Sequence, residues 1–274
     1  MQVEFVSGKG GVGKSAVTAA IARLHAARGE RVLAIAMVPG GGLGPHLGLD
    51  RLTPEPVAGD EGVHALEVRR VEALQEYVRI YSPIPLLAGM GRGLRAFDAL
   101  ATAAPGVREL ITIGKILHDA REWDRVVVDA VPTGQLDSYL GAPLVIGDLI
   151  TSGRVADQAG RLVTDLRDSS TVHLVSLAEE LPVTETHEAL AGLGDLPTPL
   201  GDVIVNRLLA EAPSAAPRHP PAVHAAMDLH AGITASQARW RSELPDGPSL
   251  PLLFGADDAR LVGRLLAEAL GTWR

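Results

Sequence analysis

The chain has 274 residues, of which 46% are hydrophobic and 21% charged, and its formal net charge is −8. That length supports one large α/β domain or two modest ones, the apolar content excludes a disordered chain, and the acidic balance gives no general pull towards nucleic acid or an anionic membrane. The absence of cysteine removes disulfides, thiolate metal sites and thiol catalysis together. The start, Met1 to Phe5, lacks a charged segment followed by an apolar one, and no run of 18 apolar residues occurs. No leader and no membrane span are therefore expected, and a cytoplasmic protein follows.

Val3, Phe5 and Val6 form a short apolar run, so residues 2–6 predict a first strand, and residues 14–28 predict a helix with Val17, Ile21 and Leu24 on one face. Gly29 ends it. Between them lies Ser7-Gly8-Lys9-Gly10-Gly11-Val12-Gly13-Lys14-Ser15, followed by Ala16. Gly8-x4-Gly13-Lys14-Ser15 is the full phosphate-binding loop pattern, and strand, glycine loop and helix are its proper context. Glycines let successive N–H groups point at one centre, and the following helix adds its positive end. Lys14 is expected to reach the β- and γ-phosphates of ATP, and the Ser15 hydroxyl to ligate Mg²⁺.

Lys9 stands directly after the first glycine, where most phosphate loops carry no lysine. Gly8-Lys9-Gly10-Gly11-Val12-Gly13-Lys14-Ser15 resembles the deviant loop of the ArsA, MinD and ParA group of ATPases. The resemblance implies a dimer with face-to-face nucleotide sites and Lys9 acting on the partner's nucleotide.

Arg31 to Met37 predicts a buried parallel strand. The segment Val38 to Gly48 follows, with three consecutive glycines that suit a mobile loop. It resembles switch I of the ArsA-type family, where an Asp-Pro pair opens the segment and a second Asp positions the attacking water. Pro39 and Leu43 fit that pattern, but Val38 and Pro45 occupy the two Asp positions. Proline neither accepts a proton nor orients water. His46 is adjacent, but a loop histidine is more often a packing residue, and Asp50 is a weaker substitute.

Residues 51–62 read as a Pro/Gly-rich linker and Ala65 to Val71 as a short strand. Residues 71–104 alternate helical pattern with breaks at Pro83, Pro85 and Gly89-Met90-Gly91, giving a small helical subdomain over about 71–120. The targeting ATPases of tail-anchored proteins carry a Met-rich client groove in the corresponding insert. Here Met90 stands alone in the region, which does not support a client groove; for Ile80, Ile84, Leu86, Leu87 and Leu94 packing against the core is favoured over a small apolar contact surface. Pro105-Gly106 opens a further helix.

Arg125 to Asp129 is an apolar strand ending in an acid, the arrangement that holds a Mg²⁺ water beside a phosphate loop. Asp129-Ala130-Val131-Pro132-Thr133-Gly134 is similar to the family's switch II, with Gln135 where His is usual. The resemblance gives Pro132, Thr133 and Gly134 a role in sensing the γ-phosphate. Residues 144–168 predict an amphipathic helix with Arg154, Arg161 and Arg167 outward, and Val172 to Leu177 a strand. Ala178 to Thr186 resembles a Pro-Glu-x-x-Pro-x-x-Glu-Thr segment of ArsA-like proteins, with Ala178 at the first Pro, and its acids Glu179, Glu180 and Glu185 read as helix-start charges rather than catalytic groups. Asp202 to Arg207 is a strand; the resemblance assigns Asn206 to the adenine base, which an amide matches with a donor and an acceptor in one plane. Residues 210–222 predict a loop, 223–243 a helix, and Leu250 to Phe254 a last strand, where Pro251 and Leu252 correspond to the segment that closes the adenine pocket. The final helix, 256–270, carries Asp257, Asp258 and Glu268 among its arginines, which favours packing on the sheet over membrane binding.

The expected fold is α/β: a doubly wound, mainly parallel sheet with helices on both faces, as one phosphate-loop domain over 1–274. Lys9, Lys14 and Asp129 are the candidate catalytic residues, and Ser15 and Asp129 the metal-holding ones. One phosphate loop implies half of the two-halved ArsA arrangement, so the chain is expected to pair with itself or a paralogue and to serve an unknown protein client. The resemblance implies a Mg²⁺-dependent ATPase acting as a nucleotide-driven dimeric switch, with slow turnover because switch I lacks its Asp; two rivals remain open, a regulatory subunit that binds nucleotide with little turnover and pairs with an active paralogue, and a MinD- or ParA-like positioning factor. The metalloid sites of the true pump subunits, and the zinc clasp of the targeting ATPases, both need cysteine.

Overall fold

Short, mostly apolar runs at 2–6, 31–37, 125–129 and 172–177 fit a parallel sheet buried on both faces. A computed structural model describes residues 1–81, 106–211, 220–271 and 273. Among them one sheet contains β1 (Gln2–Gly8), β2 (Val32–Ala36), β3 (Val57–Ala58), β4 (Val63–Glu67), β5 (Arg125–Asp129), β6 (Ser170–Leu177), β7 (Leu200–Leu208) and β8 (Ser249–Pro251). The spatial order is β3-β4-β2-β5-β1-β6-β7-β8. All pairings are parallel except the short edge pair β3–β4. β1 lies between β5 and β6. The strand order reverses there, and in open parallel sheets that crevice at the carboxyl ends holds ligands.

The helices are α1 (Lys14–Ala27), α2 (Leu43–His46), α3 (Arg70–Tyr81), α4 (Val107–Asp119), α5 (Thr133–Leu149), α6 (Arg154–Ser169), α7 (Glu180–Gly194), α8 (Pro221–Ser242) and α9 (Ala259–Leu270). One face of the sheet buries α1, α2 and α9 through Val17, Ile21, Leu43, Leu266 and Leu270. The other buries α4, α5 and α6 through Ile113, Ile116, Leu136, Leu140, Leu162 and Leu166. Alanines at 16, 19, 20 and 22 are all buried. Their small side chains let α1 lie between the sheet and α9, so more than one face of the helix is covered. Ile21 is 0% exposed, and its truncation to alanine costs about 2–5 kcal/mol.

Several expected boundaries move. The linker at 51–62 contains β3 and a single 3-10 turn at Asp60–Gly62. The strand expected over 65–71 ends at Glu67, and α3 starts at Arg70, burying Ala73 and Leu74 in its first turns. The helix expected over 144–168 is two helices. Gly153 breaks it with φ 87 and ψ −178, a conformation that favours glycine. The strand expected over 250–254 stops at Pro251, and Phe254 is exposed. The final helix begins at Ala259, where the Asp258 carboxylate accepts from Arg260 N at 2.9 Å. Of the expected subdomain, α3 and α4 are described. Ile84, Leu86, Leu87, Met90 and Leu94 lie outside the described residues, as do the breaks at Pro83, Pro85, Gly89 and Gly91.

Candidate active site

Gly8 to Ser15 connects the carboxyl end of β1 to the start of α1. Two of its glycines are required by close approach. A Cβ on Gly8 would collide with the Val175 carbonyl of β6, and one on Gly13, where φ is 94, with the Asn206 amide. No other side chain fits either position.

Ser15 and Asp129, 114 residues apart, meet here: Ser15 Oγ donates to Asp129 Oδ2 at 2.6 Å. Asp129 is 8% exposed. Burial raises its carboxyl above the usual range, opposed by the Ser15 hydrogen bond and the Lys14 charge. Burial lowers the Lys14 ammonium, opposed by Asp129. Lys14 Nζ donates to the Lys9 carbonyl at 3.1 Å, folding back over its own loop. Among the described residues no group of three His, Asp or Glu side chains is placed to hold a metal by itself. A hydroxyl beside one carboxylate fits an ion that takes its other ligands from phosphate and water, as Mg²⁺ does.

Many of the expected site residues divide between two clefts flanking the loop, whereas Gly8, Val12 and Asp129 line neither. One, of about 590 Å³, is lined by Gly11, Gly13, Lys14, Ser15 and Ala16, with Asn206, Pro251 and Leu252 across from them. The other, of about 490 Å³, is lined by Lys9, Gly10, Pro132, Thr133 and Gly134, with Asp137, Glu185 and Glu188. Val12 is buried, and its carbonyl accepts from Asn206 Nδ2 at 2.9 Å. Asn206 Oδ1 accepts from Arg207 N at 2.9 Å. The amide therefore pins β7 to the phosphate loop and retains one N–H and one lone pair for other partners.

The loop at 38–48 departs most from a hydrolytic switch. Val38, Pro39 and Pro45 are exposed and line neither cleft. His46 lines the larger cleft, but its Nδ1 donates to the Ala259 carbonyl at 2.7 Å, which holds α2 against α9. Burial keeps its imidazole below the ordinary value, the bond to Ala259 opposes this, and Arg23 adds to it. The ring is a packing group rather than a substitute for the missing acid.

Sequence reasoning gave Glu67 no role and took Glu185 only as one of the charges at a helix start. Glu67, 6% exposed, accepts from Gly40 N at 2.9 Å and from Arg69 Nε at 2.7 Å. Burial would raise its carboxyl, but the Gly40 and Arg69 contacts outweigh burial and hold it below the usual range. Glu185 of α7 forms an ion pair with Lys9 in the same chain, and its Oε2 is buried without a hydrogen-bond partner. Glu179 and Glu180 do open α7 as expected, but only knowing that β6 lies beside β1 would bring Glu185 to the loop.

The family model described as "Anion-transporting ATPase" matches residues 1–166, from β1 into α6, a range that includes the glycine loop and the Asp129 strand. The chain belongs to this family. It is 33% identical over 221 residues to ATPase BagA of Mycobacterium tuberculosis, covering 76% of this chain and 65% of that protein. It is 28% identical over 253 residues to a putative arsenical pump-driving ATPase of Chlorobaculum tepidum, covering 76% and 62%. It is 28% identical over 268 residues to ATPase GET3B of Arabidopsis thaliana, covering 77% and 65%. The chain thus spans slightly less than two thirds of the length of these curated relatives of the anion-transporting ATPase family.

Proposed function

We propose that the chain is a Mg²⁺-dependent ATPase working as a nucleotide-driven dimeric switch. The observation that carries this reading is the Ser15–Asp129 contact at 2.6 Å beside Lys14, at the point where the sheet reverses its order. Loop N–H groups and Lys14 would bind the β- and γ-phosphates of ATP, and Pro251, Leu252 and Asn206 would close on the base. Mg²⁺ would supply charge neutralisation at the transferring phosphoryl group, held through Ser15 and through water oriented by Asp129. Pro132, Thr133 and Gly134 open α5 next to Lys9 and would report the γ-phosphate to the dimer face. Lys9 would leave Glu185 to meet the nucleotide of a second copy.

A second reading has its own observation. With Val38 and Pro45 exposed and His46 tied to α9, the loop at 38–48 has no acid at the expected positions. That favours slow turnover, or a nucleotide-binding regulatory subunit that pairs with an active paralogue. A membrane- or DNA-positioning role has less support. The net charge is −8, and Arg260 and Arg264 of α9 are engaged by Asp60 and Glu61. Among the described residues no helix is long and apolar enough to cross a membrane. With no cysteine in the chain, metalloid binding through thiolates is not part of the proposal, and a protein client of unknown identity is.

The test is steady-state ATP hydrolysis with Mg²⁺, paired with light scattering in ADP and in ATP. The switch predicts turnover and an ATP-dependent dimer, both lost in Lys14→Ala. Tight ATP binding without turnover supports the regulatory subunit. Turnover untouched by Lys14→Ala would sink the site assignment.

A further inference from the structure

We infer that Arg207 is a nucleotide-binding residue, whose guanidinium takes the diphosphate of a nucleoside di- or triphosphate across the phosphate loop from Lys14. The inference rests on the proposed nucleotide site and adds to it a cation from the opposite wall.

Arg207 has φ 60, and among the described residues only it and Glu61 combine positive φ with a side chain. A left-handed arginine is held against its own preference, and such strain persists only where the surroundings over-determine it. They do so here. Asn206 Oδ1 accepts from Arg207 N at 2.9 Å, and Gln237 Nε2 of α8 donates to Arg207 O at 3.1 Å. Gln237 Oε1 also accepts from Leu209 N at 2.8 Å, so both sides of the kink are fixed.

The kink redirects a charge. Side chains alternate along β7: Ile204 packs on the α1 face and Val205 on the opposite face. Simple alternation would return residue 207 to the face of Val205, away from the loop. Instead the β7–β8 register is irregular between Val205 and Leu208, and irregularities of this kind re-aim side chains. Arg207 Nη2 ends 4.0 Å from the point where a Cβ on Gly13 would stand, and Arg207 lines the same cleft as Lys14 and Ser15.

The charge has no internal use. Among the described residues Arg207 forms no ion pair, whereas Arg23, Arg31, Arg125 and Arg260 all hold carboxylates. Arg207 is exposed, and it adds its charge to that of Lys14 and to the N-terminal end of α1. Among the described residues no acid lines that cleft, and Asp129 beside Ser15 offsets only part of the positive charge, so the site favours an anion. A planar guanidinium at this place suits two phosphate oxygens at once. The base is better served by the apolar Pro251 and Leu252, so the contact belongs to the phosphates.

The experiment is titration of the full-length protein with Mg²⁺-ADP, Mg²⁺-ATP and adenosine, together with thermal denaturation without nucleotide. Arg207→Ala is expected to weaken ADP and ATP about tenfold and leave adenosine unchanged, with Arg207→Lys between. Arg207→Gly separates strain from binding. It relieves the left-handed backbone and so raises the denaturation midpoint of the nucleotide-free protein, while weakening ADP as much as Arg207→Ala. A purely structural arginine would move both readouts in one direction. Wild-type affinity for ADP in Arg207→Ala and Arg207→Gly overturns the inference alone. An equal loss for adenosine overturns the phosphate assignment. Failure of the wild type to bind ADP overturns the nucleotide site itself, and this inference with it.

Discussion

His173 is 6% exposed, and burial holds its imidazole below the ordinary value of 6.5 against the opposing charges of Glu4 and Asp202. The groups around it are Glu4, His25 and Asp202, with Arg125 on the far side of Glu4 and the Trp273 ring edge-on at 4.9 Å. Burial would raise Glu4, but His25, His173 and Arg125 outweigh burial and depress it below 4.5. Both folded-state values are depressed, so the unfolded chain binds more protons as pH falls, and acidification removes stability. The His173 contribution is complete above 6.5 and is lost as pH falls through its folded value; the Glu4 contribution is lost at lower pH, below 4.5. The melting temperature should therefore fall from pH 7 to pH 5.5. His173→Gln, which keeps an acceptor for the Asp202 N–H now 3.0 Å from Nδ1, should flatten that part of the curve and leave the drop below pH 4.5. His46, also held low, supplies the residual slope. Parallel curves for the two proteins between pH 7 and 5.5 would remove His173 from this account. None of this cluster was legible in the sequence, because Glu4, His25 and His173 meet only through the packing of α1 on β1 and β6. Ser15 and Asp129 were legible, since the loop spacing and the acid ending an apolar strand each carry their chemistry locally.

At the scale of elements the loop at 38–48 is the informative case. It lacks its expected acids, yet it is not free. Glu67 at the end of β4 holds Gly40 N at 2.9 Å. Two residues on, a Cβ at Gly42 would stand 3.4 Å from Ser15 Oγ, so the pinned loop lies beside the Ser15 hydroxyl. Glu67 is on this reading a positioning residue. Glu67→Ala should free the loop and reduce kcat about tenfold, the effect of losing one charge-assisted hydrogen bond, while ADP affinity changes less than about twofold, because ADP has no γ-phosphate for the loop to meet. Glu67→Gln, which still offers an oxygen to Gly40, should recover much of the loss. Steady-state kinetics beside an ADP titration reads both quantities. Unchanged kcat in Glu67→Ala would mean that the loop is positioned by other contacts. Sequence periodicity found the strands and helices that carry long apolar patterns. It failed where two patterns abut, as at Glu67–Arg70, and where one glycine, Gly153, divides a continuous amphipathic run. The two-residue strand β3 has too little pattern to detect.

At the scale of the whole molecule, strand order decides what Lys9 can do. Because β6 lies beside β1, α7 starts next to the phosphate loop and presents Glu185 to Lys9. The Lys9 side chain is 50% exposed and that of Glu185 is 18% exposed, so the pair is weak, worth at most about 1 kcal/mol. Its geometry is also incomplete: Glu185 Oε2 is buried without a donor, and an unsatisfied carboxylate oxygen subtracts from what the pair contributes. A lysine that serves a second copy must first leave this contact, so the pair opposes dimerisation by the small amount it stabilises the single chain. Glu185→Gln removes the anion, leaves an amide of the same shape, and frees Lys9. The expected result is an ATP-dependent dimer that forms at about two- to fivefold lower protein concentration, with no change in the ADP-bound state. Lys9→Ala should abolish the dimer in either background, which separates release of Lys9 from any direct effect of Glu185 on the interface. Light scattering across a dilution series in ATP measures both. If Glu185→Gln instead weakens the dimer, Glu185 is itself an interface residue, and the contact with Lys9 in one chain is the resting form of a contact made between two.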